Sequence, residues 1–232
     1  MHKIRISEGA LQVAAARRGG DPVFPRLIAA TSALIVIDMQ NAFLMPGMPM
    51  ELPNARDIIP NVNRLASAIR QAGGHVVWVR ISFAGQRESW SVWFDHLLHP
   101  EASEAMIASL SAGNPGFELH RDLDVRPEDM VVDKTRFSAF TAGASDLDRL
   151  LKARGIDTLI IAGTLTNTCC ESTARDAMMH NYKVVFVADA NATRTDDEHN
   201  ATLGNMARVF AEVLMTDEVI ARLVPVAPAP AS

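Results

Sequence analysis

The sequence predicts a three-layer α/β fold, α-β-α and Rossmann-like, on a mainly parallel sheet of about six strands. Three observations lead there. Short apolar, β-branched runs alternate along the chain with stretches of helical period. The runs are apolar throughout rather than at alternate positions, as in strands buried on both faces. Glycines, Gly73, Gly74 and Gly155 among them, close helical stretches just before the next run.

Residues 1–30 have no clear period and contain Gly19, Gly20, Pro22 and Pro25. They read as an N-terminal arm with one helical turn near Leu11 to Ala16, lying on the body or on a partner subunit. Residues 31–224 read as one domain. Its first strand is Ala33 to Ile37, ended by Asp38 and followed by a Pro- and Met-rich loop, Phe43 to Pro53. From Ala55, apolar residues at Ile58, Val62, Leu65 and Ile69 mark a helix that stops at Gly73. His75 to Ile81 is the second strand. The irregular stretch 82–124, with a short helix at Ala102 to Leu110, reads as a lid or specificity insertion.

Met130 to Val132 is the third strand. Ser145 is placed as the N-cap of a helix with Leu147, Leu150 and Leu151 inward, and Asp148 completes a capping box. The core ends with strands at Thr158 to Ala162, Lys183 to Ala188 and Val213 to Met215, and with helices after Cys169, at Asp196 to Ala211 and at Asp217 to Leu223. Residues 225–232 read as a flexible tail.

Composition excludes several classes. A net charge of −5 argues against nucleic acid or an anionic membrane as partner. No apolar run approaches the ~20 residues of a membrane span. The patch Leu11 to Ala16 is cut by Arg17 and Arg18, unlike a signal peptide. The only two cysteines, Cys169 and Cys170, are adjacent and cannot form a disulfide framework, which fits a reducing, cytoplasmic setting.

The chemistry concentrates between Thr158 and Ala177. A buried strand ends at Gly163, a short turn follows, and from about Thr168 Cys170, Thr173, Ala174, Ala177 and Met178 share one helix face. Cys169 thus falls at a helix N-terminus, where unpaired amides and the dipole favour thiolate. The same amides suit an oxyanion. The alternative is a buried cysteine that fills space. Ligands of open parallel sheets bind beyond the carboxyl ends of the strands. Asp38, Lys134 and Cys169 each follow a strand, so an acid, a base and a nucleophile share one rim.

The stretches IVIDMQNAF, VVDKTRFSAF and IIAGTLTNTCCESTARDA resemble, in that order, the signatures of the isochorismatase-like cysteine hydrolases, over roughly residues 31–220. The resemblance implies a catalytic triad of Asp38, Lys134 and Cys169. It also implies an oxyanion hole from the backbone N–H groups of Leu165 and Cys169, with a cis peptide between Thr164 and Leu165. The implied activity is hydrolysis of a C–N bond in a small linear amide, ureide or carbamoyl compound, through a thioester on Cys169. The ureidoacrylate hydrolase and N-carbamoylsarcosine amidase branch is nearest in motif.

Where nicotinamidases of this superfamily carry an Asp-x-His metal cluster, this chain has Val79, Arg80, Ile81 and Ser82, so no metal and no cofactor is expected. His96 and His99 read as part of a solvated loop. Gln40, Phe43, Arg80, Phe83, Trp90 and Trp93 are candidates to line the substrate site. Arg136, Asn167 and Arg175 fit either binding or structural ion pairs and caps. The resemblance further implies a homodimer or homotetramer acting on a small molecule. Three other readings stand beside the amidohydrolase: an isochorismatase-type vinyl-ether hydrolase, an inactive ligand-binding member, and a redox sensor using the vicinal cysteines.

Overall fold

The computed structural model describes residues 1–19 and 22–227. In chain order the elements are α1 (Glu8–Arg18), β1 (Leu27–Ile28), β2 (Ser32–Ile37), α2 (Asn41–Leu44), α3 (Pro53–Asp57), α4 (Ile59–Gln71), β3 (His75–Ile81), α5 (Pro100–Ser109) and β4 (Met130–Lys134). They continue with α6 (Leu147–Ala153), β5 (Thr158–Thr164), α7 (Glu171–Met179), β6 (Lys183–Ala192), α8 (Asp196–Asn205), β7 (Glu212–Leu214), α9 (Thr216–Arg222) and β8 (Leu223–Val224). Six strands form one parallel sheet in the order β4-β3-β2-β5-β6-β7, and β1 pairs with β8 apart from it. The predicted three-layer α/β fold is the observed one.

The topology locates the site before any side chain is considered. From β2 the chain moves outward through β3 to β4; from β5 it moves the other way, through β6 to β7. Right-handed crossovers then put the helices of the two halves on opposite faces, and the order reverses between β2 and β5. α4 and α9 pack together on one side. On the other, the Tyr182 hydroxyl donates to Asp148 of α6 at 2.9 Å and Thr202 of α8 donates to Glu171 of α7 at 2.7 Å. β2 and β5 are buried along their whole length, as their unbroken apolar runs require. Each aliphatic side chain taken fully out of water there contributes roughly 1.5–3 kcal/mol.

The two strands come closest where β5 ends. A Cβ on Gly163, whose φ is +122°, would lie 2.1 Å from the Ile37 carbonyl oxygen, so only glycine fits. Beyond Ile161 the register with β6 slips, and Asn191 Nδ2 fills the irregularity by donating to the Ile161 and Val187 carbonyls at 2.9 and 2.7 Å.

Several local expectations change. The helix expected from Ala55 breaks into α3 and α4 at Ile58, one residue before the Ile59–Pro60 start of α4. The N-cap of α6 is Asp146 rather than Ser145, whose Oγ accepts from the Leu147 N–H (3.1 Å), and Asp148 bonds Lys152 and Tyr182 instead of closing a capping box. The N-terminal segment contains an 11-residue helix rather than one turn, and lies on the body of its own chain: Ala10 of α1 packs on Gly204 of α8. Of the predicted tail, Val226 is held by a hydrogen bond to the Ala72 carbonyl at 2.9 Å, and residues 228–232 lie outside the described residues. Among the described residues no helix is long and apolar enough to cross a membrane.

Candidate active site

Asp38 leaves β2 with φ at +52°, a left-handed conformation unusual for a side chain with a Cβ. Two neighbours fix it there. Its N–H donates to the Val79 carbonyl (2.8 Å), and its carbonyl accepts from Thr164 Oγ1 (2.9 Å). Lys134, the last residue of β4, reaches across with its ammonium 2.8 Å from Asp38 Oδ2 and 3.1 Å from the Arg136 carbonyl. Both side chains are fully buried. Asp38 Oδ1, also buried, has no hydrogen-bond partner among the described residues.

Cys169 comes from the other side of the switch point. After β5 the Thr164–Leu165 peptide is cis, as the resemblance implies. One turn of π-helix, Thr166–Cys170, then runs directly into α7. The Leu165 carbonyl accepts from the N–H groups of Thr168 and Cys170, both at 3.1 Å, while the Leu165 N–H has no acceptor among the described residues. The Cys169 thiol faces both Asp38 and Lys134. Cys170 turns to the interior with Thr173, Ala174 and Ala177, as the helical spacing predicts.

The electrostatics correct one sequence expectation. The helix terminus alone predicts a lowered thiol pKa. Cys169 is only 3% exposed, and burial together with the Asp38 charge pushes its pKa well up, outweighing Lys134. That direction favours the thiol over the thiolate at rest. Burial raises the Asp38 pKa as well, against the pull of Lys134. Burial opposes the Lys134 ammonium, but the charges of Asp38 and of a Cys169 thiolate outweigh it and raise its pKa.

Cys169 and Leu165 line a cavity of about 200 Å³ with Phe43, Ile81, Phe83, Trp93 and Phe137. That is small beside the ~300–1,000 Å³ of drug-sized ligand sites. Of the residues expected to line the substrate site, Phe43, Phe83 and Trp93 line this cavity. Gln40, Arg80 and Trp90 do not. Gln40 is structural: its amide donates to the Ile81 and Phe117 carbonyls and accepts from the Ile81 N–H. Arg80 points to the other face of β3, paired with Asp133 at 2.7 Å and stacked on Phe117. Trp90 packs behind the lining, against Phe83, Trp93 and Phe137, beneath the Arg136 guanidinium.

Arg136 donates to Gln86, Ser89 and the Thr135 carbonyl, and Arg175 bonds Glu171, so both serve structure. Asn167 accepts from Thr193 Oγ1 at 2.6 Å.

Two lining features went unread in the sequence. Arg194, exposed at the cavity, has no carboxylate partner among the described residues. It follows β6 on the same rim as Asp38, so the rule that selected Asp38 also selects it. Trp93 carries an indole N–H that is buried without a partner among the described residues. Among the described residues no three His, Cys, Asp or Glu side chains gather as metal ligands.

A parallel sheet with buried acid, amine and thiol groups gathered at its switch point defines the class, a doubly wound α/β protein with a candidate active site at the switch point. The chain belongs to the isochorismatase family: the Isochorismatase domain matches residues 32–218. It is 33% identical over 213 residues to the ureidoacrylate amidohydrolase RutB of Variovorax paradoxus, covering 86% of this chain and 84% of that protein. It is also 33% identical over 180 residues to a probable inactive nicotinamidase of Arabidopsis thaliana, covering 77% and 89%. The crystal structure of a cysteine hydrolase from Pseudomonas syringae superposes with a TM-score of 0.75 at 32% identity, over 84% of this chain and 92% of that one.

Proposed function

We propose that this protein hydrolyses the C–N bond of a small linear amide, ureide or carbamoyl compound, with Cys169 as nucleophile. The observation that carries the reading is the division of labour on one carboxylate. Lys134 holds Asp38 Oδ2, while Oδ1 is buried and unpaired among the described residues, and the Cys169 thiol faces the same carboxylate. A resting thiol needs a base at the moment of attack, and a carboxylate with a raised pKa takes and returns a proton more readily near neutral pH.

In the proposed cycle Asp38 accepts the Cys169 proton as sulfur bonds to the substrate carbonyl carbon. The carbonyl electrons move to oxygen, and the N–H groups of Leu165 and Cys169 hold the oxyanion. When the carbonyl re-forms, the C–N bond breaks and Asp38 gives its proton to the departing nitrogen. Water, losing a proton to Asp38, then attacks the thioester carbon. Cys169 leaves and is reprotonated, and acid and amine products depart.

The cavity supports a substrate of few heavy atoms. The Arg194 guanidinium at the cavity, without a carboxylate partner among the described residues, supports one with an acceptor, best a carboxylate. The likeness to ureidoacrylate amidohydrolase RutB agrees with that chemistry. The test is ammonia release from a panel of amides, ureides and carbamoyl compounds with and without a carboxylate. Turnover of the acidic ureides and carbamoyl amino acids is expected; isochorismate cleavage with none of the panel hydrolysed would overturn the reading.

A further inference from the structure

His2 lies far from Cys169 in sequence, in an arm that the proposed chemistry does not use. Its side chain is nonetheless 2% exposed. The Thr193 N–H donates to His2 Nε2 at 3.1 Å, so the ring proton sits on Nδ1, which donates to Asp196 Oδ1 at 2.8 Å. The ring stacks on His199, with centroids 4.4 Å apart and planes 14° from parallel.

Both contacts continue to the catalytic turn. His199 Nε2 donates to the Ala188 carbonyl (3.1 Å), so its Nδ1 is free to accept from Thr166 Oγ1 (2.9 Å). Thr193, whose N–H is on His2, donates its own hydroxyl to Asn167 Oδ1 (2.6 Å). His2 thus braces two consecutive residues, Thr166 and Asn167, of the turn that presents Cys169. It also holds the residue immediately before Arg194.

We infer that His2 is a positioning residue for the active site, setting the Cys169 turn through His199 and Thr166, and both Asn167 and Arg194 through Thr193. A ring that only pinned the arm would need its bond to Asp196. Here the other nitrogen and the ring face are both engaged by residues that themselves hold the turn. Misplacement of a reacting group by about 1 Å can cost as much as a hundredfold in rate, so a support at this distance from the chemistry matters.

The inference rests on Cys169 being the nucleophile, and its test separates the two. The full chain, His2→Ala and His2→Phe are compared well below their melting temperatures for kcat, KM and the rate at which iodoacetamide labels Cys169. Labelling is read by peptide mass and needs no substrate. His2→Ala is expected to lose about tenfold in kcat and to raise KM for acidic substrates, while its Cys169 labels faster because the turn loosens. Added imidazole, filling the vacated site, is expected to restore much of the rate. His2→Phe keeps a ring to stack but accepts nothing from Thr193, so it is expected to be impaired and insensitive to imidazole. Folded His2→Ala with kcat, KM and labelling all within about twofold of the parent would overturn the inference, and so would a loss that imidazole leaves untouched. Unchanged turnover in Cys169→Ala would instead remove the reading on which it rests.

Discussion

The Lys134 ammonium lies 2.8 Å from Asp38 Oδ2 with both side chains fully buried, and the other oxygen of the same carboxylate has no partner among the described residues. A buried ion pair is weak evidence for stability, because desolvation offsets much of the attraction. An apolar pair would serve the core as well. The half-satisfied carboxylate is what an apolar pair cannot supply.

Lys134→Met should therefore separate stability from catalysis. Removing one partner of a buried pair costs ~3–5 kcal/mol, reduced here because Asp38, its pKa already raised, can take up a proton. The folded variant should lose about 10²–10⁴ in kcat. Adding Asp38→Asn should recover stability in thermal melts without recovering turnover. Near-parental kcat in folded Lys134→Met would remove Lys134 and Asp38 from the mechanism.

The two cysteines should differ in pH response as well as in accessibility. With its pKa pushed up by burial and by Asp38, Cys169 should react slowly with iodoacetamide at pH 7, and faster as the pH rises through 9. Cys170 should stay unlabelled while the fold holds, because it is completely buried. Cys170→Val, close in volume and surrounded by Thr173, Ala174 and Ala177, should keep most of the turnover. Fast labelling of Cys169 at neutral pH would mean that its thiolate is stabilised after all.

Arg194→Ala should raise KM for substrates with a carboxylate and spare neutral amides. A hydrogen bond to a charged group is worth about 1.5–3 kcal/mol, or roughly 10- to 100-fold. Steady-state kinetics on matched acid and amide substrates reads the difference. Equal losses on both would show that the guanidinium does not meet the carboxylate.

His199 predicts a pH dependence of stability. Burial first, and the nearby His2, lower its pKa to about 4. The unfolded chain binds a proton at this residue below about 6.5 and the folded chain only below about 4, so acidification between those values favours unfolding. The contribution is complete above pH 6.5 and worth ~3 kcal/mol, most of it gone by pH 4. Thermal melts of His199→Asn across that window should show a flatter profile than the parent; parallel profiles would refute the assignment.

Much of this architecture was legible because local signals agreed. The apolar runs of β2 and β5, the glycine at 163 and the polar residues following the strands all lie in short stretches of sequence, and the switch-point rule joins them. Arg80 was misassigned although the signal was there: strand alternation puts it on the opposite side from Ile81, which lines the cavity. Arg194 was legible by the same rule, since it follows β6 on that rim. Gln40 was not separable in this way, because its role is set by carbonyls at Ile81 and Phe117 that only the fold brings to it. Nor was the thiol pKa, since burial of Cys169 is a property of everything packed around it. The bracing of the turn by His2 was hidden for the same reason, its partners Thr193 and His199 lying at the other end of the chain.

The most direct test of the central claim is to catch the intermediate. The protein is acid-quenched during turnover of the best substrate from the amide and ureide panel, and the intact mass and the peptide containing Cys169 are measured. An adduct with the mass of the acyl fragment is expected on Cys169, discharged by hydroxylamine, with neither adduct nor turnover in Cys169→Ala. Hydrolysis by folded Cys169→Ala at the parental rate would contradict it.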